Sequence, residues 1–120
     1  MRSPLLLPLF VATIAASTSP AAAQDAAKGK QLFQTCAACH SGQPGSLGPN
    51  LKGVVGRRAG SVPGFRYSAA MAKSGLTWTP TTLKAFLQHP QATVPGNRMP
   101  FGGFSNPADA DAVIKYLTMR

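Results

Sequence analysis

The chain has no glutamate, and its acidic residues are three aspartates, Asp25, Asp109 and Asp111. Paired carboxylates for general acid–base work are therefore missing, which counts against an enzyme. Cysteine and histidine are as scarce, two of each. A zinc site wants about four ligands, and His89 stands far from the group Cys36, Cys39 and His40. A disulfide between the two cysteines would close over two residues and add little, because stabilisation grows with loop length. No βαβ pattern surrounds the pair, as a thioredoxin-like dithiol would expect. The chain shows no internal repeat and no strand alternation of useful length. Beyond residue 16 it has no apolar run long enough to approach a membrane span.

What it does contain is Cys36-Ala37-Ala38-Cys39-His40. This C-x-x-C-H spacing reads as an attachment site for c-type haem. Two thiols three positions apart can add across the two vinyl groups of one porphyrin. The imidazole that follows directly then serves as an axial iron ligand. The expected cofactor is one haem c, joined by thioethers to Cys36 and Cys39.

The N-terminus reads as a secretory leader. Arg2 is a short positive region. Residues 5–16 are apolar apart from Pro8 and Thr13, and Ala21-Ala22-Ala23 offers an A-x-A cleavage site before Gln24. Residues 1–23 are therefore expected to be a cleaved signal peptide, and residues 24–120 one domain in the periplasm. A domain this small has a marginal apolar core. A covalent haem would fill its centre, and would explain how 12 Gly and 11 Pro are tolerated. The formal charge is +9, from 12 Lys and Arg against three Asp. Such a charge favours acidic partners through steering. Nucleic acid is a poor fit: apart from Arg57-Arg58 the basic residues are scattered, and export separates the protein from the genome.

The pattern predicts an all-α fold. A first helix over residues 26–36, capped by Asp25, carries Leu32 and Phe33 on its apolar side and delivers the haem motif. A last helix starts at Asn106 as N-cap and Pro107 at its first position, with Asp109 in the first turn. Ala110, Val113, Ile114 and Leu117 recur along it at helical spacing. The two terminal helices are expected to cross, with Gly29 and Phe33 against Ile114, Tyr116 or Leu117. Thr79-Pro80 opens a third helix, with Leu83, Phe86 and Leu87 inward and its end before Pro90. Residues 68–73 read as a short helical turn closed by Gly75. Residues 41–66 and 91–105 read as loops, and two this long in a small domain signal function or order imposed by a ligand, which a haem would supply.

A sixth iron ligand has four candidates. Met119 lies beside the C-terminus, Met71 suits a core position, and His89 suits the end of a helix. Met99 sits in Pro95-Gly96-Asn97-Arg98-Met99-Pro100-Phe101-Gly102, where proline and glycine rigidify a strap that could present one thioether to the iron.

The order of motifs resembles the class I c-type cytochromes, the family of mitochondrial cytochrome c and its soluble bacterial relatives. The likeness rests on CAACH, Gly48-Pro49-Asn50-Leu51, residues 56–60 (GRRAG), residues 63–67 (PGFRY), Trp78, residues 95–99 (PGNRM) and Phe101. It implies the cytochrome c fold, with short helices and long loops wrapped round one haem. It implies His40 and Met99 as axial ligands. The Pro49 carbonyl would accept the Nδ1 proton of His40 and so raise its basicity. Arg57, Tyr67 and Trp78 would hydrogen-bond a buried haem propionate. Leu51 and Phe101 would pack on the ring, and Asn97 belongs to the cofactor-binding strap. The chain departs from the mitochondrial pattern at Phe86, commonly tyrosine there, at Met71, commonly asparagine, and at Asn97, commonly threonine. These changes alter the polarity around the distal side, so no reduction potential carries over.

The resemblance implies a soluble periplasmic one-electron carrier, a monomer and not an enzyme. It would dock transiently on acidic surfaces of redox proteins: an oxidase, a photosynthetic reaction centre or a dehydrogenase, in part within membrane complexes. Lys28, Lys30, Lys52, Lys73, Lys84 and Arg98 are the candidates for a basic rim round the haem edge. The alternatives are a haem subunit fixed to a larger oxidoreductase and, further off, a peroxidase-like or gas-binding haem.

Overall fold

The computed structural model describes residues 1–15 and 21–120. Residues 1–15 have no regular secondary structure and are exposed, including Leu5, Leu6, Leu7, Phe10 and Ile14. Residues 16–20 of the expected leader lie outside the described residues. Five helices follow: α1 Ala21–Ala37, α2 Ala69–Ala72, α3 Pro80–Gln88, α4 Pro90–Thr93 and α5 Pro107–Thr118. Among the described residues there is no strand, only one isolated antiparallel bridge between Arg58 and Thr77.

The caps follow from side-chain chemistry. Thr79 Oγ1 accepts the Thr82 N–H at 3.2 Å and Pro80 opens α3. Asn106 Oδ1 accepts the Ala108 N–H at 3.0 Å and Pro107 opens α5. Ser68 Oγ accepts the Met71 N–H at 3.1 Å at the start of α2. Each cap satisfies an N–H that the first helical turn leaves without a partner. Two boundaries differ from expectation. Helix α1 begins at Ala21, so Asp25 lies inside it and is not its N-cap. Ala21 to Ala27 is alanine-rich, and alanine is the best helix former. Residues 91–105 are not all loop, because Pro90 ends α3 and opens α4. A proline is unfavourable within a helix and acceptable at its first position.

Helices α1 and α5 cross at Gly29. A Cβ there would collide with the Ala112 carbonyl and meet the Tyr116 Cβ at 2.9 Å. Only glycine permits so close an approach. Phe33 packs on Tyr116 with ring centroids 5.3 Å apart, and Arg120 lies 4.9 Å over the Phe33 ring. The partner of Gly29 is thus Ala112 together with the expected Tyr116. Ion pairs tie α5 to both neighbours, Lys28–Asp109 at 3.1 Å from α1 and Lys84–Asp111 at 3.0 Å from α3. Phe33, Leu83, Phe86, Leu87, Val113 and Leu117 form one side of a buried core, and Val54, Ala59, Trp78 and Val94 join it from the loops.

Candidate functional site

The last turn of α1 delivers Cys36, and the chain then folds back on itself. The N–H groups of Cys39 and His40 both donate to the Cys36 carbonyl, at 3.1 and 2.9 Å. The Cys39 carbonyl accepts from the Gly48 N–H at 2.8 Å and from the Ser46 hydroxyl. This closes the 41–48 loop against the motif and brings Pro49 to the imidazole. His40 Nδ1 lies 2.7 Å from the Pro49 carbonyl. A carbonyl only accepts, so the proton is on Nδ1 and Nε2 keeps a bare lone pair. Burial lowers the pKa of His40, the Arg57 charge adds to this, and the Pro49 hydrogen bond opposes it. The net lowering favours the neutral ring, the form that binds a metal. Gly48 makes room for it: a Cβ there would lie 2.5 Å from Cε1 and 2.6 Å from Nδ1. Burial and the neighbouring Cys39 raise the pKa of the Cys36 thiol. Both cysteines are free and half-buried.

Cys36, Cys39 and His40 border a cavity of about 770 Å³, within the range of about 300–1,000 Å³ usual for ligand sites. Its floor is the apolar core of α3 and α5, with Leu83, Phe86, Val113 and Leu117. Met99 and Phe101 border it from the strap between α4 and α5, and Leu51 from the loop after His40. The other expected residues, Pro49, Arg57, Tyr67, Trp78 and Asn97, line the same cavity. So does Met71, half-buried. His89 is exposed at the end of α3, and Met119 is 71% exposed.

The isolated bridge explains how Arg57 and Trp78 meet. The Trp78 N–H donates to the Arg57 carbonyl and the Gly56 N–H to the Trp78 carbonyl, both at 2.8 Å. Trp78 packs on Phe86 with centroids 5.0 Å apart. The Arg57 guanidinium donates to the carbonyls of Asn50 and Lys52, at 2.9 and 3.2 Å. The Tyr67 oxygen accepts the Val62 N–H at 3.0 Å, which leaves its own proton free for a partner in the cavity. Sequence reasoning missed this pairing of two separate loop segments, since neither has strand periodicity. It also missed the contact of Gly48 with His40, though glycine before Pro49 hinted at a tight approach.

The donor set suits haem iron. Two thiols, a neutral imidazole with a free Nε2 and a thioether border one large apolar cavity, where a planar macrocycle can be enclosed.

A family model described as Cytochrome c matches residues 26–119. The chain belongs to the cytochrome c family. It is 43% identical over 116 residues to a cytochrome c2 of Blastochloris viridis, covering 94% of this chain and 90% of that one. It is 47% identical over 108 residues to a cytochrome c2 of Rhodomicrobium vannielii, covering 87% and 86%. Cytochrome cH from Methylobacterium extorquens superposes with a TM-score of 0.76 at 45% identity, over 80% of this chain and 99% of that one. This class I c-type cytochrome therefore has the all-α cytochrome c fold and carries haem c. It is an electron carrier rather than an enzyme.

Proposed function

We propose that this cytochrome is a soluble, monomeric, periplasmic one-electron carrier whose haem iron is held by His40 and Met99. The observation that carries the reading is the common cavity: His40, whose Nδ1 is taken up by the Pro49 carbonyl, and Met99 line one chamber together with Cys36 and Cys39. Haem bound there supplies one-electron exchange at its iron. The protein orients the imidazole through Pro49, excludes water with the α3–α5 floor, and encloses the ring with Leu51 and Phe101. Arg57, Tyr67 and Trp78 offer donors for a propionate, and Asn97 lies in the strap beside Met99.

Cleavage of residues 1–23 after Ala23 would leave a domain of residues 24–120. It would remove three residues of α1 and place Asp25 in the helix's first turn, where a carboxylate suits the dipole. Partners are acidic docking surfaces of redox proteins, including membrane complexes, met transiently.

An absorption spectrum of the periplasmic protein, oxidised and reduced after acid–acetone extraction, tests the centre. Retained haem, low-spin reduced bands and a weak far-red band in the oxidised form are expected. Met99→Ala should keep the haem but lose the far-red band and open the iron to small ligands. A wild-type spectrum in that variant would exclude Met99.

A further inference from the structure

The strap of residues 94–104 holds Met99 without forming a helix or a strand. Two carboxamides secure it. Asn97 is the buried polar residue of the core among the described residues, 7% exposed. Its Nδ2 donates both hydrogens, to the carbonyls of Pro90 and Val94, each at 2.9 Å. Its Oδ1 accepts the backbone N–H of Met99 at 3.0 Å. The opposite orientation would set oxygen against two carbonyls and NH₂ against an N–H, so the chemistry of the partners fixes the amide. Gln91, on α4, grips the same segment from outside. Its Nε2 donates to the Asn97 carbonyl at 2.9 Å and its Oε1 accepts the Gly96 N–H at 3.2 Å. Pro95 and Pro100 have no N–H to contribute to other bonds.

We infer that Asn97 and Gln91 are positioning residues for Met99: they clasp the strap to α4 and set how readily its thioether is displaced. The inference rests on the His40/Met99 reading. A thioether is a weak, neutral donor. Its hold on a metal depends on the chain keeping the sulfur in place, which is a matter of pre-organisation. With the clasp cut, the detached strap becomes more populated, and an added ligand binds more tightly in proportion to that population.

The probe is free imidazole, titrated into the oxidised holoprotein and read by its absorption spectrum. Asn97→Ala removes three hydrogen bonds: the Pro90 and Val94 carbonyls keep their backbone donors, and the Met99 N–H loses its acceptor. It should tighten apparent imidazole binding by about tenfold or more, a shift of about 1.4 kcal/mol, and weaken the far-red band. Gln91 is exposed, so Gln91→Ala should fold readily and tighten binding about two- to fivefold in the same direction. Asn106→Ala loosens the cap of α5 and lowers stability elsewhere; imidazole affinity should stay at the wild-type value. Unchanged affinity in both strap variants overturns the inference, and so does an equal gain in Asn106→Ala, which would make the effect one of general stability. A wild-type protein without the far-red band overturns the His/Met reading itself, a result seen before any variant is made.

Discussion

Gly48 shows how much of the site is decided by single atoms. The His40 ring occupies the space of the missing Cβ. In Gly48→Ala the ring must leave the Pro49 carbonyl or the 41–48 loop must move. The expected result is retained haem, since Cys36 and Cys39 are untouched, with a weakened low-spin spectrum and a lower denaturation midpoint. Spectra and guanidinium melts check both. Replacing Cys36 or Cys39 should instead lower the yield of covalently attached haem, measured by acid–acetone extraction. The presence of His40, its neighbours and the CAACH spacing were all legible in the chain. That Arg57 donates to two loop carbonyls and Tyr67 accepts from Val62 was not, because those partners are set by loop conformations with no local rule.

Among the elements, α3 and α5 were legible in detail, because a Thr or Asn followed by proline marks a helix start by local chemistry alone. Helix α4 was not. Four residues carry no periodic apolar signal, and His89 provides no side-chain cap bond. The start of α1 was misplaced because Ala21 to Ala23 serve equally well as a cleavage signal and as helix. The α1–α5 crossing allows a direct test. Gly29→Ala adds about 1 kcal/mol of helix propensity but drives a Cβ into the Ala112 carbonyl, and backbone cannot rotate away. Overpacking of this kind costs about 1–3 kcal/mol, so a net loss is expected in denaturant melts. Asn106→Ala should cost about 1 kcal/mol by loss of the cap.

For the molecule as a whole, charge is unevenly placed. Asp109 and Asp111 lie on α5 and pair with Lys28 and Lys84, so those two lysines of the expected rim are partly neutralised. Residues 26–108 contain no carboxylate. Lys52, Arg58, Arg66 and Arg98 belong to the loops around the cavity, and Lys73 follows α2. This asymmetry should steer the protein toward an acidic partner. The association rate should fall by about tenfold or more as salt rises from low to physiological strength and the Debye length shrinks from about 30 to about 8 Å. Stopped-flow mixing with an acidic redox partner measures it. A rate indifferent to salt would point to a fixed subunit.

The sequence by itself determined the covalent motif, the capped helices, the excess of positive charge and the all-α class. Each depends on residues within a few positions of one another, where thiol spacing, capping and helical periodicity act. Only the tertiary structure decided that the imidazole and the Met99 thioether share one cavity, that Gly29 meets Ala112, that Trp78 lies against Arg57, and that Asn97 and Gln91 hold the strap. Those pairings join distant or irregular segments. Their reason is the satisfaction of buried backbone groups and the filling of one core, conditions met by the folded chain as a unit and by no short stretch of it.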